Sequence, residues 1–385
     1  MPTLEDAASP VDLAGPAPQK LEDGIGLCLS GGGYRAMLFH TGALWRLNEL
    51  AYLRKLERIS SVSGGSITAG QLGLKWSSLG FNPAGVASAY RQHVVDPIRR
   101  LASHSLDVTS VIGGILTPGS ISDKVAAAYD KYLYDGATLQ DLPDDPPRFV
   151  INATNVQSGA LWRFMKPYMR DYRVGEVLKP NVRLAVAVAA SAAFPPLLSP
   201  LKLEVDPKAY SPRADGEDLH YEPFTTEVVL TDGGVYDNLG LETVWKRYRT
   251  ILVSNGGGKM SPEAEPKEDW ARHSRRILDV VDNQVRSLRQ RQVVSSFEAG
   301  ARKGTYWGIR TDIRGYGPVN PALPTPHEKT LQLADIPTRL KALEPVVQER
   351  LINWGYAVCD AAMRRYVDAA LPPATAFPYP STGVG

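Results

Sequence analysis

Apolar residues along this chain come in short continuous runs, and amphipathic stretches alternate with them from the start. Gly24 to Ser30 (GIGLCLS) is one such run, bounded by turn signals, and predicts a buried strand. It leads through Gly31-Gly32-Gly33 into a helical pattern from Tyr34 to about Leu53, where Met37, Leu44, Leu47 and Leu50 form a core-facing stripe. Leu56 to Val62 is a second strand. A turn at Ser63, followed by Gly64 and Gly65, opens a further helix from about Ser66 to Trp76. Strands that are apolar throughout, rather than on alternate positions, are covered on both faces. A β-α-β-α opening of this kind therefore predicts a largely parallel sheet between helices.

Further on, helices are predicted over Val86 to Ala102 and Asp123 to Tyr134, with an apolar, glycine-rich loop (Val111 to Leu116) between them. Arg148 to Thr154 reads as a strand and Ala160 to Met165 as its antiparallel partner. Leu184 to Phe194 is a small-residue helix stopped by Pro195-Pro196. Lys202 to Phe224 is polar and weakly patterned, which suggests a surface excursion. Glu227 to Thr231 is a strand ending at Asp232-Gly233-Gly234, and Thr250 to Ser254 is another. Trp270 to Ala299 predicts a long helix, Thr305 to Ile313 a strand, and the stripe Val347, Leu351, Trp354, Val358 and Ala362 a terminal helix. One domain over 24–371 is expected, with a flexible tail at 1–23 and an irregular one at 372–385. There is no internal repeat.

Composition narrows the function classes. The chain has 385 residues, 43% of them hydrophobic and 22% charged, with a net charge of +2. That balance is ordinary for a globular protein and gives no reason to expect a nucleic-acid partner. Two widely separated cysteines, Cys28 and Cys359, provide neither a disulfide framework nor a cysteine-rich metal site, and fit a reducing compartment. The first 23 residues lack the basic start and apolar core of a signal peptide. Leu184 to Leu203 is alanine-rich and broken by prolines, so it does not predict a membrane span. The expectation is a cytoplasmic protein, peripheral to the membrane at most.

Three signals converge. A glycine triplet follows one strand and opens a helix; a serine sits at a second strand-to-helix turn; an aspartate with two glycines closes a third strand. In a parallel sheet all three lie at the carboxyl ends of strands, where such folds place their sites.

In Ser30-Gly31-Gly32-Gly33-Tyr34-Arg35-Ala36, Ser61-Val62-Ser63-Gly64-Gly65 and Asp232-Gly233-Gly234, the chain resembles the patatin-like phospholipases, relatives of the catalytic domain of cytosolic phospholipase A2. Softer matches are Ala153-Thr154-Asn155 with Gly159, and Ala190-Ser191-Ala192-Ala193-Phe194-Pro195. The resemblance implies a three-layer α/β/α fold with a mainly parallel sheet. It also implies a Ser-Asp dyad, with Ser63 as nucleophile and Asp232 as general base. An oxyanion hole would form at Gly31, Gly32 and Gly33, supported by Arg35, Gly65, Gly233 and Gly234. The implied reaction is hydrolysis of phospholipid or lysophospholipid carboxylic esters through an acyl-serine, during transient contact with a membrane surface. No cofactor and no metal is implied. A general esterase or thioesterase with the same dyad, or a catalytically silent scaffold relative, are the alternatives.

Ser61 stands where the family motif has its first glycine, a small residue for a small residue. Ser66 and Ser30 are rival nucleophiles and Asp237 a rival base, while Asn238 either positions the loop or forms a turn. Arg35 either steadies the glycine loop, binds phosphate or is an ordinary surface arginine. Of the six histidines (His40, His93, His104, His220, His273, His327) none directly follows a strand, and His220 is the one to test. The arginines from Arg272 to Lys303 read first as a solvated helix face. A membrane surface, a homo-oligomer contact or an anionic regulatory ligand are the other readings.

Overall fold

The computed structural model describes residues 21–106, 120–196, 198–319 and 322–385. Ten strands form one sheet: β1 (Glu22–Leu29), β2 (Leu56–Val62), β3 (Arg148–Asn155), β4 (Leu161–Phe164), β5 (Tyr168–Asp171), β6 (Gly175–Leu178), β7 (Leu201–Glu204), β8 (Glu227–Asp232), β9 (Tyr248–Asn255) and β10 (Lys303–Gly308). In the order β10-β9-β1-β2-β3 all neighbours are parallel, whereas β4, β5 and β6 extend the sheet antiparallel. The helices used below are α1 (Gly33–Glu49), α2 (Gly64–Leu74), α3 (Asp96–Ala102), α4 (Ile121–Tyr129), α5 (Leu184–Ser191), α6 (Gly234–Asp237), α7 (Glu242–Trp245), α8 (Trp270–Glu298), α9 (His327–Ala334) and α10 (Pro345–Tyr366).

The continuous apolar strands are buried on both faces, as their composition requires. Alternate residues of β1 and β9 (Leu27, Leu29, Leu252) join the large core beneath α1, α2 and α10. Those between them (Cys28, Ile251, Val253) join a smaller core with Val244 of α7 and Val293 of α8. Helices α1 and α10 cross at glycines: a Cβ on Gly42 would sit 1.9 Å from the Ile352 carbonyl oxygen, and one on Gly355 1.9 Å from that of Phe39. Among the described residues no helix is long and apolar enough to cross a membrane.

Several elements differ from the sequence pattern. The helix expected from Val86 starts only at Arg91, because Asn48 clamps Ala87 in a turn through both its amide oxygen and its amide nitrogen. The surface excursion from Lys202 contains most of β7, which pairs with β8. The strand expected to reach Ile313 stops at Gly308, and β5, β6 and α9 have no counterpart in the periodicity. Residues 372–385 hold no helix or strand but are packed down: Phe377, Tyr379 and Val384 are buried, and the Asn353 amide donates to the Tyr379 and Gly383 carbonyls. The Val111 to Leu116 loop lies outside the described residues.

Candidate active site

Ser63 follows the last residue of β2 and caps α2 with φ 51° and ψ −119°. A non-glycine residue held there costs about 1–3 kcal/mol and persists only when its surroundings over-determine it. They do so here. The Ser63 N–H donates to Ser191 Oγ at 2.9 Å, and the Ser63 carbonyl accepts from the Ser66 and Ile67 N–H groups. Under the turn, Ser66 Oγ meets Ser191 Oγ at 2.9 Å and donates to Ser61 Oγ at 3.0 Å, and Ser61 Oγ donates to the Val150 carbonyl at 3.1 Å. Ser61 and Ser66 are therefore buried scaffolding, and Ser66 is spent as a rival nucleophile.

The glycine loop packs directly on this elbow. A Cβ on Gly64 would lie 2.3 Å from the Gly33 carbonyl oxygen, and one on Gly65 2.5 Å from that of Leu29. Gly33 has φ +60° with Arg339 backbone against it, so a side chain is excluded twice over. The Gly31 N–H donates to the Asn238 carbonyl at 3.1 Å. Among the described residues, the Gly32 and Gly33 N–H groups have no hydrogen-bond partner. Of the three N–H groups in the expected oxyanion hole, Gly31's is thus committed and two are free, at the N-terminus of α1 where partial positive charge gathers. Asn238 is a positioning residue for the loop: its side-chain oxygen fills the space that a Cβ on Gly31 or Gly234 would need.

Asp232 reaches Ser63 by a route that parallel topology does not provide. β2 pairs with β3 only as far as Val62 opposite Asn152. β8 runs antiparallel and takes the same edge of β3 from the next position, with Asp232 opposite Ala153. The two strands thus meet end to end, and their terminal residues face each other. The Ser63 hydroxyl lies beside the Asp232 carboxylate, close enough to favour its charged form. Gly234 N–H donates to Asp232 Oδ1 at 2.7 Å. Burial raises the Asp232 pKa from 3.8 to about 7; the nearby Asp282 charge adds to this, and the Gly234 N–H and the Ser63 hydroxyl work against it. Around it, the Gly233 N–H donates to the Ser191 carbonyl and the Asp232 N–H to that of Ala193. Ser191 therefore ties nucleophile and acid together. The softer motif Ala190 to Pro195 contained this residue, but nothing in it singled the serine out.

The remaining candidates fall elsewhere. Arg35 is buried, not a surface residue, and donates to the carbonyls of Gly256 (3.1 Å) and Ile336 and to Thr338 Oγ1 (2.9 Å), tying α1 to the turn after β9 and to the segment after α9. Burial, with Arg310 and Arg286 nearby, lowers its pKa to about 10. Ser30 Oγ donates to the Gly31 carbonyl and accepts the Gly256 N–H, so it ends the strand. Asp237 accepts the Leu239 and Glu242 N–H groups and holds its own turn. His40 is buried between Ser254 Oγ and the Ser30 carbonyl, with its pKa lowered by burial to about 4. His220 hydrogen-bonds the Val174 carbonyl, and among the described residues no histidine contacts Ser63 or Asp232. Tyr129 went unnoticed in the sequence. Its hydroxyl is buried without a hydrogen-bond partner among the described residues, and its pKa is raised by burial and then by the Asp232 charge.

The arginine-rich helix α8 borders the site. Arg286 donates to the Gly258 carbonyl at 2.9 Å and pairs with Asp282 at 3.0 Å, Arg289 pairs with Glu242 at 3.2 Å, and Arg276 reaches the Ser261 carbonyl at 2.8 Å. These arginines face the protein rather than solvent alone.

The family model described as patatin-like phospholipase matches residues 27–245, more than half of the chain. No curated protein matches. Among solved structures, the human GIVD cytosolic phospholipase A2 in complex with methyl gamma-linolenyl fluorophosphonate is similar at 13% identity and a TM-score of 0.49, covering 88% of this chain and 57% of that one. Another structure of the human enzyme has 13% identity, a TM-score of 0.39, and coverage of 64% and 49%. VipD from Legionella pneumophila has 14% identity, a TM-score of 0.34, and coverage of 88% and 66%. The chain thus spans about half the length of the human structures that it matches.

Proposed function

Since this chain belongs to the patatin-like phospholipase family, we propose that it is a lipid acyl hydrolase of the phospholipase A type, acting through Ser63 and Asp232. The observation that supports this reading is the juxtaposition of Ser63 and Asp232 at the point where β2 and β8 meet end to end. An ordinary carboxylate is a weak base for a hydroxyl, but one with a pKa of about 7 is matched to proton transfer near neutral pH. Asp232 takes the proton from Ser63 Oγ as that oxygen attacks the ester carbonyl. The N–H groups of Gly32 and Gly33 hold the oxyanion of the tetrahedral intermediate, fixed in place before charge develops. As the intermediate collapses, the ester C–O bond breaks and the leaving alcohol, a lysophospholipid, takes the proton from Asp232. Water, giving a proton to Asp232, then attacks acyl-Ser63; the acyl–Oγ bond breaks, Ser63 Oγ takes that proton back from Asp232, and the fatty acid leaves.

The test is fatty-acid release from phospholipid vesicles by the wild type, Ser63→Ala and Asp232→Ala, each checked for intact folding. Both variants are expected to be inactive, and a fluorophosphonate probe should label the wild type and not Ser63→Ala. Hydrolysis retained by both variants sinks the dyad. A wild type that cleaves short-chain nitrophenyl esters but leaves phospholipids intact instead supports the general esterase.

A further inference from the structure

Helix α8 is amphipathic the wrong way round. Its charged side faces the protein, through Arg276, Asp282, Arg286 and Arg289, while Val293 is its only buried residue. Its apolar residues point outward: Trp270 is 82% exposed, Leu278 65%, Leu288 58%, Val281 54% and Ile277 50%. At roughly 100° per residue, Trp270, Ile277, Val281 and Leu288 fall within about 40° of one another. So narrow a stripe is the seam of a helix pair, not the broad face that covers a core. A helix lying in a bilayer surface needs cations free to reach headgroups. Here four of the helix's six arginines are committed, Arg272 to Asp269, Arg276 to Glu263, Arg286 to Asp282 and Arg289 to Glu242.

The stripe also reads the same in both directions about Asp279. Trp270 and Leu288 lie nine residues to either side, Ile277 and Val281 two, and Leu278 and Val280 one. A surface that docks on a copy of itself about a twofold axis must have this self-complementary order. We propose that a second copy of this chain docks here, the two α8 helices packing antiparallel about an axis at Asp279. Trp270 packs on Leu288 of the second copy and Ile277 on its Val281, while Leu278 and Val280 flank the axis. The seam is about 27 Å long, short for an obligate dimer, so association in the micromolar range is expected. Asp282 and Arg286 lie on the inner face of the same helix, so pairing braces the border of the site.

Sedimentation velocity of the full chain across the micromolar range should show a monomer–dimer equilibrium that Leu288→Asp and Ile277→Asp abolish, with thermal unfolding unchanged because both residues are exposed. Cys28 and Cys359 are buried, so introduced surface cysteines react cleanly. Trp270→Cys mixed with Leu288→Cys should give a disulfide-linked dimer on mild oxidation, and neither alone should, since each lies about 27 Å from its own copy. A wild type that stays monomeric, a dimer indifferent to Leu288→Asp, or a Trp270→Cys homodimer would each overturn the proposal. So would a monomer whose binding to phosphatidylglycerol vesicles is lost with Leu288→Asp, which assigns the stripe to a bilayer.

Discussion

Replacing Asp232 by asparagine isolates the most unusual energetic feature of the site. Asparagine keeps an oxygen for the Gly234 N–H and offers an N–H to Ser63 Oγ, so the packing survives and only the charge is lost. The folded carboxyl has a pKa of about 7 against 3.8 unfolded. Between those values the unfolded chain releases this proton and the folded one keeps it. The folded state is therefore favoured fully below pH 3.8 and loses that advantage as pH rises through 7. At about 1.36 kcal/mol per pKa unit, roughly three units amount to about 4 kcal/mol. Asp232→Asn should match the wild type in stability near pH 4, gain on it steadily up to pH 7, and stay about 4 kcal/mol ahead above that. Chemical denaturation of both proteins at a series of pH values measures the difference, and every other titrating group cancels. A difference that stays flat within about 1 kcal/mol, or a variant less stable at pH 8, would refute the raised pKa and with it the fitness of Asp232 as a base.

Activity should follow the same group in the opposite sense: kcat/KM rises with pH to a plateau, with a midpoint near 7, because only the ionised Asp232 can accept the Ser63 proton. Arg35→Ala should destabilise the fold by about 3 kcal/mol, since the Gly256 and Ile336 carbonyls and Thr338 lose a charged donor. Arg35→Lys should recover little of that, because one ammonium cannot span three acceptors, and thermal unfolding reads both. Ser191→Ala frees the Ser63 N–H and should lower kcat by about fivefold with KM little changed, as the elbow loses a tether worth about 1 kcal/mol. Tyr129→Phe should leave stability within about 1 kcal/mol, for among the described residues its hydroxyl has no partner to lose.

Much of this was legible in order along the chain. The central parallel strands β1, β2, β3 and β9 announced themselves because burial on both faces makes them apolar along most of their length. The glycine loop and the elbow were legible because tight backbone approaches exclude side chains, which confines each to a few adjacent residues: Gly31-Gly32-Gly33 and Ser63-Gly64-Gly65. The long helix was legible over nearly its whole length, but not that its charged face turns inward, since periodicity defines a stripe without saying what covers it.

What the tertiary structure decided was every relation between distant residues. Asp232 was read as lying on a parallel sheet edge, yet it arrives on an antiparallel strand that abuts β2 along β3. Register between strands so far apart in sequence is set by pairing, and no local pattern encodes it. The same holds for Ser191 bridging elbow and acid, for the burial of Arg35, and for the shift of Asp232 toward neutrality. Sequence supplied the groups, through turn chemistry that acts over a few residues. Folding supplied their meeting and their dielectric surroundings, which depend on everything packed around them.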